Sequence, residues 1–99
     1  MRRKRKVLVA YDVSTETPAG QRRLRKVAQV CCGFGVRVQK SVFECWLSDR
    51  QQARLLASLL AVINVNEDSL RVYPLPGDDR EILVFGVNQQ LPLDGLLLV

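Results

Sequence analysis

The spacing of apolar residues changes along the 99-residue chain in a way that separates short strands from two helices. Val7, Leu8, Val9, Ala10 and Tyr11 form a nearly continuous apolar run that stops at Asp12. Such a run predicts a strand over 6–12, covered on both faces. A polar loop, Ser14-Thr15-Glu16-Thr17, follows. Thr17-Pro18 then supplies an N-cap oxygen and a proline at the first helical position. Leu24, Val27, Ala28 and Cys31 recur at i, i+3, i+4 and i+7, one apolar stripe of a helix. Gly33 and Gly35 stop it.

Residues 36–47 read as strand again, but the alternation slips. Val36 and Val38 are even, whereas Phe43, Cys45 and Leu47 are odd. A slip of this kind marks either one bulged strand or two short strands joined by a bend. Ser48 with Gln51 fits a capping box and opens a second helix. Its expected buried stripe is Ala53, Leu56, Leu59, Leu60 and Ile63, and it ends near Asn64-Val65-Asn66. A strand over 69–75, the turn Pro76-Gly77-Asp78-Asp79 and a strand over 80–86 complete a predicted hairpin. Strand, helix, strand, helix, strand, strand suits an antiparallel sheet with two helices on one face. That is a ferredoxin-like α+β sandwich. The expected organisation is a single domain over 1–99, with a basic N-terminal arm at 1–5 and a dimer-contact tail at 87–99.

The tail enters because Leu96-Leu97-Leu98-Val99 is a bare apolar end. Added as a strand to the sheet edge of a second copy, it would be covered twice over in a symmetric dimer. Packing on its own domain is the alternative.

Charge adds a direction. The chain carries +5 overall, but residues 1–40 hold 11 of its 15 basic side chains and only two acids, Asp12 and Glu16. A one-sided positive field concentrates polyanions, with nucleic acid the first candidate and anionic lipid the second. Arg22, Arg23, Arg25 and Lys26 on the first helix suit phosphate contacts, which carry affinity rather than sequence information. Arg37 and Lys40 extend this surface; a merely solvated helix face is the competing reading. The chain has three cysteines and no histidine. An odd count without C-x-x-C spacing argues against a disulfide framework or a zinc site, and places Cys31, Cys32 and Cys45 as buried structural thiols of a reducing cytoplasm. No stretch approaches the ~20 apolar residues of a membrane span, so no membrane partner is expected.

Asp12 is the leading candidate for chemistry. A carboxylate at the end of a buried strand has rigid support and an emerging side chain, suited to a hard cation such as Mg²⁺. That ion polarises phosphoryl oxygens or activates water. An Asx-turn or helix-capping role is the alternative. One carboxylate makes a poor metal site, so a twofold axis near Asp12 would have to supply a second copy. Gly33-Phe34-Gly35-Val36 shares letters with the stacking strand of the RNA-recognition motif, but its place after the first helix makes it a helix stop. Without histidine or a G-x-S-x-G elbow, Ser41 and Glu44 do not build a serine-hydrolase triad. Tyr11 and Trp46 are candidates for base stacking or for packing.

Three segments together carry a family resemblance: Val9-Ala10-Tyr11-Asp12-Val13, Gln21-Arg22-Arg23-Leu24, and Val36-Arg37-Val38-Gln39-Lys40-Ser41-Val42-Phe43-Glu44-Cys45. Over residues 5–86 the chain resembles the small universal CRISPR-associated spacer-acquisition family, the CRISPR-associated endoribonucleases. The Arg-Val-Gln-x-Ser-Val-Phe-Glu block is its most specific part. The resemblance implies the ferredoxin-like fold and a homodimer whose C-terminal strands extend the partner's sheet. It implies a Mg²⁺ held between two copies of Asp12 and metal-dependent cleavage of RNA or duplex DNA. It also implies binding to the larger CRISPR integrase, where the small protein can act as a non-catalytic scaffold. Arg22, Arg23, Arg37, Ser41 and Phe43 match positions of the family pattern, with Tyr11 beside them. The polar stretch between Asp12 and the arginines is slightly longer than that pattern.

Overall fold

Six elements alternate along the chain in a computed structural model that describes residues 3–77 and 81–87. They are β1 (Arg5–Asp12), α1 (Pro18–Cys32), β2 (Gly35–Gln39), β3 (Val42–Leu47), α2 (Asp49–Val62) and β4 (Ser69–Pro74). The strands form one sheet in the order β2-β3-β1-β4, and every neighbouring pair is antiparallel. With two helices on one face, this is the ferredoxin-like α+β fold.

Both helix starts form as the sequence dictates. The Thr17 hydroxyl accepts from the Gly20 N–H at 3.1 Å, with Pro18 in the first turn. Ser48 and Gln51 close a reciprocal capping box, at 3.2 and 2.8 Å. Val7, Val9 and Tyr11 of β1 and Phe43, Cys45 and Leu47 of β3 point to the helices. There they pack with Val27 and Cys31 of α1 and Leu55 and Leu59 of α2.

Three expectations are corrected, and the open choice at 36–47 is decided. The slip at 36–47 is both a turn and a bulge. Residues 40–41 turn the chain into a hairpin, and the register shifts between Arg37 and Gln39. The apolar sets of the two strands therefore lie on opposite faces: Val36 pairs with Glu44, away from the helices, while Arg37 pairs with Phe43.

The α2 stripe is rotated from the expected one. Leu55 and Leu59 are fully buried, Val62 and Ile63 support them, and Leu60 is 56% exposed. Four leucines at 55, 56, 59 and 60 satisfy two adjacent stripes, and packing against α1 and β3 selects one.

Strand 69–75 does not pair with an 80–86 partner. β4 lies against β1 in the register Val9↔Val72, and none of the described residues 81–87 is in a strand. The ladder to β1 and the core contact through Leu70 and Val72 anchor β4 without a partner from the described residues 81–87. The segment beyond it is left with Leu83, Phe85 and Val87 between 76% and 85% exposed.

Finally, β1 is covered by helices on one face only. Lys6, Leu8 and Ala10 are half-buried on the other, beside Trp46, Tyr73 and the Lys6–Glu44 ion pair at 3.0 Å. The C-terminal tail lies outside the described residues except Val87, and of the basic arm Arg5 sits in β1 and pairs with Asp49.

Candidate metal and nucleic-acid site

β1 delivers its last two residues to opposite faces, as a two-residue period requires. Tyr11 turns inward and is 6% exposed, whereas Asp12 emerges on the helix-free face. Asp12 lies opposite Ser69 of β4, and Arg71, opposite Ala10, is its diagonal neighbour on the same face. Arg71 donates to the Tyr73 hydroxyl at 3.0 Å and is otherwise exposed. On the other side, the Tyr11 N–H donates to the Ser41 carbonyl at 3.1 Å, which brings the β2–β3 turn with exposed Lys40 alongside the strand end.

Beneath this surface Tyr11 stacks on Phe43, with ring centroids 6.2 Å apart and planes 25° from parallel. The Arg37 guanidinium lies 5.2 Å from the Phe43 ring centre, a cation–π contact. The fold thus brings Tyr11 together with Arg37, Ser41 and Phe43, some thirty positions further along, around one end of the sheet. Tyr11 and Phe43 are too buried to stack a base; their work is support. Burial pushes the Tyr11 phenol up, and nearby Arg37 draws part of that shift back. The hydroxyl nevertheless meets no hydrogen-bond partner. Trp46 is 53% exposed on the helix-free face and leaves its ring available.

The helical arginines part company. Arg22, Arg25 and Lys26 project from the outer face of α1, which contains no acidic residue. Arg23 turns inward instead, its side chain 16% exposed. Its Nε donates to Asp68 Oδ2 at 2.8 Å and its Nη2 to Asp68 Oδ1 and Glu67 Oε1, each at 3.2 Å. The Asp68 side chain is fully enclosed and also accepts from the backbone N–H groups of Ser14 (3.0 Å) and Asn64 (2.8 Å). The Arg23 guanidinium, with those two N–H groups, holds the Asp68 carboxyl down at about 2. Neither Asp68 nor Arg71 stood out in the sequence. An acid between a helix and a strand has no local signature, and its partner is 45 positions away.

Burial pushes the thiols of Cys31 and Cys45 up, to about 12 and about 11, so both are inert side chains of the core. Cys32, expected to be buried, is exposed because it sits one position past the inward stripe of α1.

Among the described residues no three of His, Cys, Asp or Glu cluster as a metal site. Asp12 offers an exposed carboxylate at the end of a strand of the sheet, diagonal to Arg71 on β4. Mg²⁺ is commonly bound through one or two carboxylates, with waters and substrate phosphates completing the shell. The Asp12 donor type fits such an ion, and a second copy of the residue would complete the protein's share. Among the described residues no helix is long and apolar enough to cross a membrane.

Comparison with known proteins agrees with this fold. The family model for CRISPR associated protein Cas2 matches residues 5–81. A Moorella thermoacetica protein named CRISPR-associated endoribonuclease Cas2 1 is 50% identical over 94 residues, 94% of this chain and 98% of that protein. The CRISPR-associated endonuclease Cas2 of Halalkalibacterium halodurans is 48% identical over 69 residues, 70% of this chain and 72% of that one. Among solved structures, Streptococcus pyogenes Cas2 superposes with a TM-score of 0.73 at 44% identity, covering 82% of this chain and 99% of the other. A hypothetical protein of Thermus thermophilus gives 0.74 at 35% identity, covering 86% and 94%.

Proposed function

The chain belongs to the CRISPR associated protein Cas2 family, and on that premise we propose that it is a Mg²⁺-dependent endonuclease of CRISPR spacer acquisition, hydrolysing phosphodiester bonds in RNA or duplex DNA. The observation that carries the reading is the position of Asp12, an exposed carboxylate ending a strand whose residues 6–11 are buried or half-buried. Two copies of Asp12, one from each protomer of a homodimer, would hold the ion. When bound, the ion supplies Lewis-acid polarisation of a phosphoryl oxygen and a lowered pKa for water. Exposed Lys40 in the adjoining turn and Arg71, diagonal to Asp12 on β4, would orient the phosphate backbone, and exposed Arg22 would add affinity at a distance. Arg37 steadies Phe43 and, through it, Tyr11.

Dimerisation is supported by the helix-free face. Leu8, Ala10, Val36, Val42, Trp46 and Tyr73 leave an apolar surface there, and among the described residues none pairs with the outer edge of β4. The exposed run Leu83–Val87, continuing toward the tail, is suited to lie along the β4 edge of a second copy. The proposed setting is cytoplasmic, in contact with the larger CRISPR integrase.

One observation favours a second reading. The outer face of α1 is cationic without any acid, and the first 40 residues carry +9. Such a surface holds duplex DNA whether or not anything is cut, as a non-catalytic scaffold of the integrase would. Purified wild type and Asp12→Ala, assayed on RNA and duplex DNA with Mg²⁺ or EDTA, separate the two. Cleavage that needs both Asp12 and Mg²⁺ supports the nuclease. Salt-sensitive duplex binding without cleavage supports the scaffold, and cleavage that survives Asp12→Ala overturns the assignment to this residue.

A further inference from the structure

Asp12 is exposed, yet the chain on either side of it is tied down, and the ties converge on one group. The loop that leaves Asp12 runs through buried Val13 to Ser14, whose N–H donates to Asp68 at 3.0 Å. It then passes Thr15, whose carbonyl accepts from the Gln21 side chain at 3.3 Å. Across the sheet, Asp12 pairs with Ser69, the residue directly after Asp68. One carboxylate therefore fixes both the segment that follows Asp12 and the strand that faces it. Arg23 anchors that carboxylate to α1 through a two-point contact, and Asn64 anchors it to the end of α2.

The arrangement is more than generic core cohesion. Asp68 is enclosed, so its charge must be neutralised where it stands, and Arg23 does this from a different element. Four donor contacts saturate both of its oxygens and leave little freedom to rotate. α1 is brought close enough that Gly20 is obligatory: a Cβ there would meet the Ser14 carbonyl oxygen at 2.0 Å. The loop after Asp12 is thus wedged between the first turn of α1 and the Asp68 carboxylate.

We propose that Asp68, neutralised by Arg23, is the positioning residue of the metal site: by holding the Ser14 N–H and the start of β4 it fixes the backbone that aims Asp12. This rests on the reading of Asp12 as the metal ligand. Two ligands from separate protomers can share one ion only if each backbone is held to a fraction of an ångström. Outer partners of metal ligands typically carry tenfold to a hundredfold in affinity, and Asp68 acts here through the backbone rather than through the ligand's own oxygens.

The test is Mn²⁺ binding to the full-length protein, followed by electron paramagnetic resonance and calorimetry, for wild type, Asp68→Asn and Asp12→Ala. It is run at a temperature where circular dichroism reports each variant folded. Asp68→Asn is expected to bind about tenfold more weakly, and Asp12→Ala not measurably. A folded Asp68→Asn with wild-type affinity overturns the positioning role while leaving Asp12 as ligand. Wild-type affinity in Asp12→Ala overturns the metal-ligand reading and the positioning role with it. A second measurement needs no variant. The Ser14 amide of the unmodified protein should exchange with solvent as slowly as amides in the β1–β3 ladder, and exchange at the rate of an open loop contradicts the proposal.

Discussion

Replacing Arg23 by lysine keeps the charge but removes the planar fork that reaches both Asp68 oxygens. The expected result is a lower melting temperature, by roughly 5–10 °C for a domain of this size, read by thermal denaturation. The same pair sets an acid limit. The folded-state pKa of Asp68 is about 2, below its ordinary value of 3.8, so the unfolded chain takes up the proton first as pH falls. Its stabilisation is complete above that ordinary value and disappears as pH falls to about 2. The stability gap between wild type and Asp68→Asn should therefore shrink through that window in urea titrations. The thiols make a second check. At pH 8 a disulfide-exchange reagent should titrate Cys32 rapidly and reach Cys31 and Cys45 only on denaturation, because burial holds those two neutral. Asp12 could be read from the sequence because a polar residue ends an apolar run, a local event. The inward turn of Arg23 could not. On the helix it is one of four cations in five positions, and the partner that singles it out lies beyond α2.

Among the elements, caps and periods were legible and pairings less so. Thr17-Pro18 and Ser48 with Gln51 mark both helix starts through contacts three residues long. The β2–β3 turn at Lys40-Ser41 carries no glycine, asparagine or proline, so only the phase slip betrayed it. A register shift between Arg37 and Gln39 accompanies it. Gly35 lets β2 come this close to β3, since a Cβ would meet the Glu44 carbonyl at 2.4 Å. Gly20 offers the sharper test, because two principles give opposite signs. Helix propensity alone makes Gly20→Ala stabilising by up to about 1 kcal/mol. The 2.0 Å approach of the Ser14 carbonyl makes it destabilising. The contact wins because it involves backbone that Asp68 prevents from retreating. Gly20→Ala should melt below wild type, and a higher melting temperature would mean that the loop after Asp12 is free to move.

For the whole molecule, the two faces divide the labour. The helix side buries the core and presents the cationic surface of α1; the helix-free side presents Asp12 amid an apolar sheet surface. β1 read from sequence as covered on both faces, and the described residues cover one. The same holds for the run read as a strand over 80–86: its β-forming residues are there, but none of the described residues 81–87 joins the outer edge of β4. A second copy would resolve both. Phe85 is 85% exposed in the single chain, so Phe85→Asp should leave the fold intact. In sedimentation it should shift a wild-type dimer toward monomer, whereas an unchanged dimer would remove this segment from the interface. The central claim, that two Asp12 carboxylates make one metal site, is tested most directly by the stoichiometry of Mn²⁺ binding to the full-length protein. One ion per two chains, lost in Asp12→Ala, is the result expected; one ion per chain, or binding indifferent to Asp12, would contradict it.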